Sequence, residues 1–166
     1  MATSYDSVIN LFLSDVEKDV KFFNYFGKTD EEALALAKER SQFYMDEAVS
    51  RIILDCKPSV DFTNRDSTAK QFNFDLTEQE KLLLRSLMYE YYMFRDVAYL
   101  KTQTTNYAPK EVTVFSPDNA RTSFMDMYKT VCEHNEHLID EYRNTDRQTG
   151  EYIGVDYSAL NADAES

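Results

Sequence analysis

The chain has 166 residues, a net charge of −12 and a hydrophobic fraction of 43%. The hydrophobic fraction argues against a disordered chain, and the length suits one domain with a real core. The negative charge argues against binding to nucleic-acid phosphates or to an anionic membrane surface, because both need a basic footprint. Only three glycines and three prolines are present, so the composition favours long helices over many tight turns.

The N-terminal sequence and the cysteines bear on localisation. Residues 1–19 have no basic region ahead of their apolar residues, and Asp and Glu interrupt the apolar residues. This pattern predicts neither a signal peptide nor a membrane span. Cys56 and Cys132 are far apart and neither lies in a CxxC pair, so no disulfide framework is expected. We therefore expect the chain to be made in the cytoplasm.

Two helices are predicted in the first third of the chain. Apolar residues at spacings of three and four predict a first helix that ends near Gly27. Its apolar positions are Val8, Leu11, Phe12, Val16, Val20 and Phe23. Thr29 and Glu32 have capping-box spacing, which predicts a second helix that stops before Pro58. Polar residues from Pro58 to Leu76 then predict a surface loop with room for a short strand or turn.

The rest of the chain predicts two more helices. A second capping box, Thr77 with Glu80, starts a helix that continues to about residue 101. Alternation in EVTVF, residues 111–115, predicts a short strand. Ser116 as N-cap and Pro117 at the first helical position then start a helix that ends near Arg143.

These elements predict a mainly α fold. We expect a bundle of about four long helices with a short β segment in the loop before the last helix. Residues 1–145 are predicted to form a single helical domain. Residues 146–166 have an acidic, polar composition without a core-forming pattern, which predicts an extended and flexible C-terminal tail.

The third predicted helix contains LMYEYYMFRDVAYL, residues 87–100. On a helical wheel its apolar residues form one broad face that also contains Arg95. That face consists of Leu84, Leu87, Met88, Tyr91, Phe94 and Ala98. Tyr89, Met93 and Leu100 point the other way, so the helix must be central or sandwiched. Three neighbours in a monomer or a second subunit would cover it. Arg95 would then reach water, pair internally or pair with another subunit.

Candidate catalytic and metal-binding residues do not form a convincing site. His134 and His137 lie among carboxylates, but their order matches no metal-binding helix motif, so a solvated charged face is favoured. Glu90 is followed by Met93 where a di-iron helix would have histidine. Cys132 lacks the third group and oxyanion site that nucleophilic catalysis needs. We therefore predict no enzyme activity, no cofactor and no metal.

The helix LLLRSLMYEYYMFRDVAYL carries a resemblance to a known family. A leucine-rich run passes into consecutive tyrosines and then into Arg95 and Asp96. This resembles the long helix of the head–tail connector (adaptor) proteins of tailed bacteriophages. The resemblance covers roughly residues 7–143 and is one of architecture more than of motif. The insert from Pro58 to Leu76 and the long helix from Pro117 to Arg143 depart from a minimal connector.

The resemblance implies a structural virion protein at the neck of the particle. It implies a ring of about twelve copies below the portal protein that extends the DNA channel. The ring would also contact the next neck or tail-completion protein, and DNA would pass through without specific binding. Candidate subunit-interface residues are then Tyr91, Tyr92, Arg95 and Tyr99. A candidate partner-docking tail contains Tyr152, Ile153, Val155 and Tyr157.

Two other interpretations fit the same sequence. A small acidic helical regulator or inhibitor that binds a basic protein would share the charge and the aromatic residues. A di-metal helical bundle enzyme fits less well, and metal analysis would test it. Stoichiometry separates the first two, since a regulator forms a small defined complex whereas a connector enters the virion.

Overall fold

The computed structural model describes residues 2–17, 23, 25–106 and 117–153, and for 98–106 and 117–121 the backbone alone. Helices within these residues include α1 (Tyr5–Val16), α2 (Asp30–Arg51), α3 (Glu78–Asn106) and α4 (Pro117–Arg143). A π-helical turn, Ile52–Cys56, follows α2 directly. Three short strands are β1 (Thr3–Ser4), β2 (Arg65–Asp66) and β3 (Gln71–Phe72). This architecture confirms the predicted helical bundle.

The starts of α2 and α3 are fixed by the two predicted capping boxes. At the first, the Glu32 backbone N–H donates to Thr29 Oγ1 at 3.3 Å and the Thr29 N–H donates to the Glu32 carboxylate at 3.1 Å. The same reciprocal pair joins Thr77 and Glu80 at 3.2 and 2.8 Å. These bonds satisfy backbone donors that the first helical turn leaves unpaired. Both predicted helix starts are therefore confirmed.

The ends of the helices also follow the sequence closely. α4 spans Pro117–Arg143, as the proline and the apolar pattern predicted. α1 is described to Val16, and its predicted continuation toward Gly27 passes through residues 18–22 and 24, which lie outside the described residues. α2 passes into the π-helical turn and ends at Lys57, whose φ of 48° is left-handed. Pro58 follows, and the ring of a proline disfavours helical geometry at the residue before it.

A small antiparallel sheet joins the start of the chain to the loop before α3, with strand order β1–β3–β2. Phe72 of β3 is paired with both Thr3 and Arg65. β2 and β3 lie within the loop predicted between Pro58 and Leu76, where a short strand was expected. β1 was not predicted. The strand predicted over residues 111–115 lies outside the described residues.

α3 is the central helix of the bundle. It packs against α1, α2 and α4, so three helices of the same subunit cover most of its surface. Met93, which the wheel places opposite the broad apolar face, is buried, as expected of a helix with three neighbours. Phe94, which the wheel places within that face, is half exposed. None of the helices in the described part of the chain combines the length and hydropathy that a membrane span needs.

Candidate assembly surfaces

A buried polar layer joins the three long helices. Arg51 of α2 donates to Glu90 of α3 at 2.6 Å, and a second guanidinium nitrogen donates to Glu136 of α4. The third guanidinium donor, Nε, bonds Asp55 at 3.1 Å. Burial alone would lower the pKa of Arg51, but the Glu90 carboxylate outweighs it and raises that pKa above its ordinary value. Arg51 therefore stays charged and fixes the lateral spacing of all three helices.

Asn135 completes this layer from α4. Its amide donates to the second oxygen of Glu90 at 2.6 Å and to the Ser86 carbonyl at 3.2 Å. The Ser86 hydroxyl in turn donates to the Asn135 side-chain oxygen at 2.6 Å. Glu90 is 6% exposed and Asn135 is fully buried. A buried network of this kind fixes the register between α3 and α4, because a shifted register would leave these groups unpaired.

The predicted subunit-interface residues divide between the inside and the surface of the subunit. Tyr92 is 8% exposed and packs edge-on against Phe12 and Tyr44, so its ring belongs to the core. Tyr91 is half buried. The backbone of Tyr99 lies in α3, and its side chain lies outside the described residues.

Arg95 has partners within its own subunit. Its guanidinium donates to the Tyr44 hydroxyl at 2.9 Å and to Asp96 at 3.1 and 3.2 Å. It also lies over the Tyr92 ring, 5.2 Å from the ring centroid. This is the internal pairing that the sequence left open as one alternative for Arg95. Its role in a joint between subunits stays a prediction.

Aromatic side chains of α2, α3 and α4 are partly or largely exposed, and four of them, Phe43, Tyr91, Phe94 and Tyr128, are together called the aromatic face. Phe94 follows Tyr91 by three residues, and its ring centroid is 6.3 Å from that of Tyr128 on α4. Phe43 is 69% exposed and Phe94 51% exposed. Sequence reasoning missed Phe43 and Tyr128 because their contribution depends on how α2 and α4 pack beside α3.

The segment after α4 is held against the bundle by Glu80. The Arg147 guanidinium donates to both Glu80 oxygens at 2.7 and 3.0 Å, and the Tyr142 hydroxyl donates to the same carboxylate at 2.9 Å. Residues 146–153 were predicted to belong to the tail. They form a turn, called here the anchored turn, that is closed by a bridge between Thr145 and Tyr152.

The anchored turn presents part of the predicted docking tail at the surface. Tyr152 and Ile153 are both exposed. The Ile153 N–H donates to the Asn144 carbonyl at 2.7 Å, so the backbone at this point is held in place. The other two predicted docking residues, Val155 and Tyr157, lie outside the described residues.

The residues considered for metal binding or catalysis lie mainly on α4. His134 and His137 are exposed on α4. Among the described residues no group of three His, Cys, Asp or Glu side chains is arranged to hold a metal ion. Burial raises the pKa of the Cys56 thiol to about 11 and also raises that of Cys132. Both thiols are therefore protonated, and poorly nucleophilic, near neutral pH.

A groove of about 430 Å³ lies between α1, α3 and α4. Its lining residues are Asp15, Leu82, Arg85, Ser86, Tyr89 and His134. Arg85 uses two guanidinium nitrogens to bind both oxygens of Asp15, so the two charges neutralise each other at the groove wall. The groove therefore offers little net charge to a ligand.

Comparison with known proteins gave no relative for this chain. No protein-family model, no curated protein and no solved structure matches it.

Proposed function

We propose that this chain is a head–tail connector subunit of a tailed bacteriophage. Copies would form a ring below the portal that extends the DNA channel and joins the head to the tail. The proposal draws on the resemblance of the α3 sequence, where tyrosines lead into Arg95 and Asp96. It also draws on the helical bundle around α3, which matches the architecture that the resemblance implies.

The observation that carries the proposal is the aromatic face. Phe43 and Phe94 are more than half exposed, although the chain as a whole is strongly acidic. Aromatic residues and methionine are enriched in the buried centres of protein interfaces. Met127 on α4, next to Tyr128, is also exposed and would extend such a contact. The aromatic face therefore suits a contact with a neighbouring subunit, which a ring would supply.

The charge of the chain fits the same proposal. Exposed carboxylates on α4 include Glu133, Asp140 and Glu141. In a ring, acidic residues facing the channel would repel DNA phosphates, so DNA would move through without being bound. The portal protein above and the next neck component below would be the other partners.

Quantitative mass spectrometry on purified phage particles from the source of the gene tests this proposal. The readout is the ratio of this chain to the portal protein and to the major capsid protein. We expect about one copy per portal subunit. Absence of the chain from particles would contradict the proposal.

A pair of surface variants tests the role of the aromatic face. Phe94→Glu should abolish incorporation into particles because it places a charge in the subunit contact, and it should keep the fold because Phe94 is exposed. Leu34→Glu is the matched control, since Leu34 is similarly exposed but lies near the start of α2, more than two turns before Phe43. Equal incorporation of both variants would show that the aromatic face is not the contact.

The acidic surface of α4 also favours a second candidate. The exposed carboxylates of α4 would bind a basic protein, as a small regulator or inhibitor would. Affinity capture from infected cells separates the two. A regulator would be recovered in a small complex with a basic partner, and it would be missing from particles.

A further inference from the structure

An exposed phenylalanine on α2 lies between two glutamates. Phe43 is largely exposed, and Glu39 and Glu47, four residues before and after it, are exposed as well. Residues four apart on a helix lie on the same face. The ring therefore has one glutamate on each side, roughly 6 Å away along the helix axis.

A shallow cavity lies beside this ring. Its volume is about 190 Å³, and the residues that line it are Glu39, Gln42, Phe43 and Asp46. Two of these side chains are carboxylates and a third carries an amide oxygen. No Lys or Arg is among the described residues that line the cavity. The lining therefore combines an aromatic ring with hydrogen-bond acceptors.

The charges around the ring do not balance. Arg65 forms an ion pair with Asp46 and so neutralises one carboxylate of the cavity. Neither Glu39 nor Glu47 forms an ion pair within the part of the chain that the structure describes. Glu47 does not line the cavity but lies one helical turn beyond Phe43. Two negative charges are therefore left without a cation, one on each side of the ring.

The cations of α2 nearest to Phe43 in sequence already have other partners. Lys38 binds a carboxylate of α1 at 3.1 Å, and Arg40 donates to the Tyr25 hydroxyl at 3.2 Å. Arg51 belongs to the buried polar layer described above. A cation that balances the two glutamates would therefore have to come from another molecule.

We propose that Phe43, Glu39, Gln42 and Glu47 form a binding site for an arginine side chain of a partner protein. A guanidinium group lying flat on the ring would make a cation–π contact. Its N–H donors point outward in the plane, toward the carboxylates on either side. A lysine ammonium group has no such plane and would fit less well. An apolar side chain would leave both carboxylates unpaired at the contact. The proposal goes beyond the connector function and does not depend on it.

NMR titration of the isotope-labelled full chain tests this assignment. The probes are the peptide acetyl-Gly-Gly-Arg-Gly-Gly-amide and the same peptide with citrulline, a neutral analogue of arginine with a similar shape. We expect the arginine peptide to shift the signals of the Phe43 ring and of the backbone amides of residues 39–47. The citrulline peptide should bind about threefold more weakly or worse, because it lacks the charge. Equal affinities, or shifts confined to other residues, would overturn the proposal.

Variants on α2 separate the ring from the carboxylates. Phe43→Leu keeps an apolar side chain but removes the aromatic ring, and it should weaken binding of the arginine peptide about threefold. Glu39→Gln combined with Glu47→Gln should weaken it about fivefold, as expected for the loss of two exposed ion pairs. All three positions are exposed, so the fold should be kept. Unchanged affinity in either variant would overturn the role of the groups that it removes.

A second double variant controls for the net charge of the chain. Glu133→Gln combined with Glu141→Gln removes two charges from exposed positions on α4. At physiological ionic strength distant surface charges are screened, so the affinity for the arginine peptide should stay within about twofold of the original. A loss as large as that of the α2 double variant would mean that the peptide responds to overall charge, and the proposed site would be wrong.

Discussion

Two capping boxes with the same spacing perform different roles in this molecule. At the start of α2, Glu32 is exposed and forms an ion pair with exposed Lys28 at 3.7 Å. At the start of α3, Glu80 is 0% exposed and accepts hydrogen bonds from Arg147 and Tyr142. The comparison shows that a residue that caps a helix start can also bind a part of the chain that is distant in sequence. What a capping glutamate stabilises depends on where tertiary packing places it.

Replacing the two glutamates should give the largest contrast. Glu80→Ala leaves the Arg147 guanidinium without its carboxylate and the Tyr142 hydroxyl without its acceptor. We expect a loss of about 3–5 kcal/mol in the free energy of unfolding, because half of a capping box, the Tyr142 hydrogen bond and the Arg147 ion pair are lost together. Glu32→Ala removes only the exposed half of a capping box and should cost less than about 1 kcal/mol. Urea denaturation monitored by circular dichroism measures both. Similar losses would contradict the view that burial separates the two boxes.

Replacing the two cations is the next test. Arg147→Ala leaves the Glu80 carboxylate buried with only Tyr142 and the Thr77 N–H as partners. We expect a loss of about 2–3 kcal/mol. Hydrogen exchange should also become faster in residues 144–153, because Arg147 holds that turn to the bundle. Lys28→Ala, the matched variant, should cost less than about 0.5 kcal/mol, as for an exposed ion pair.

Hydrogen exchange gives the sharper outcome for Arg147. If exchange increases uniformly across α3 and α4, the turn is part of the bundle's cooperative unit. If it increases only in residues 144–153, the turn opens by itself. The second result is expected, because Arg147 joins this segment to Glu80 and to the Asp75 carbonyl, whereas the bridge between Thr145 and Tyr152 lies within the segment.

The comparison also shows which features could be predicted from the sequence. Both capping boxes were predicted, because each depends on residues three positions apart. The burial of Glu80 could not be predicted, since Arg147 is 67 residues away in sequence. The same holds for Glu90, which was considered only as a metal ligand. Its partners Arg51 and Asn135 are 39 and 45 residues away, and only the packed bundle brings them together.

The candidate site was predicted less completely than the fold. Tyr91 and Arg95 were identified from their place in an aromatic helix. Phe43 was missed as a surface residue because an apolar residue of α2 is expected to be buried, as Ala48 is. The π-helical turn has no signal in its sequence IILDC, and it packs against α4.

Removing a single hydroxyl group isolates the role of Tyr142. Tyr142→Phe keeps the ring in the core and deletes one donor to Glu80. We expect a loss of about 1–1.5 kcal/mol, the usual contribution of a hydrogen bond to a buried acceptor. Tyr152→Phe is the control, since Tyr152 is exposed, and it should change stability by less than about 0.5 kcal/mol. Equal effects would show that the Tyr142 hydroxyl adds nothing beyond its ring.

Replacing the two capping threonines should give the smallest contrast of all. Thr29→Ala and Thr77→Ala each remove one side-chain acceptor from a backbone N–H at a helix start. Each should cost about 1 kcal/mol, and the two costs should agree to within about 0.5 kcal/mol. Equal costs would mean that the two capping boxes differ in their contribution to stability only through the buried Glu80 carboxylate. A Thr77→Ala cost several times larger would mean that the cap positions Glu80 for Arg147, so that the local and distant roles of the second box are coupled. Combining Thr77→Ala with Arg147→Ala decides between these outcomes, because independent roles give additive losses and coupled roles do not.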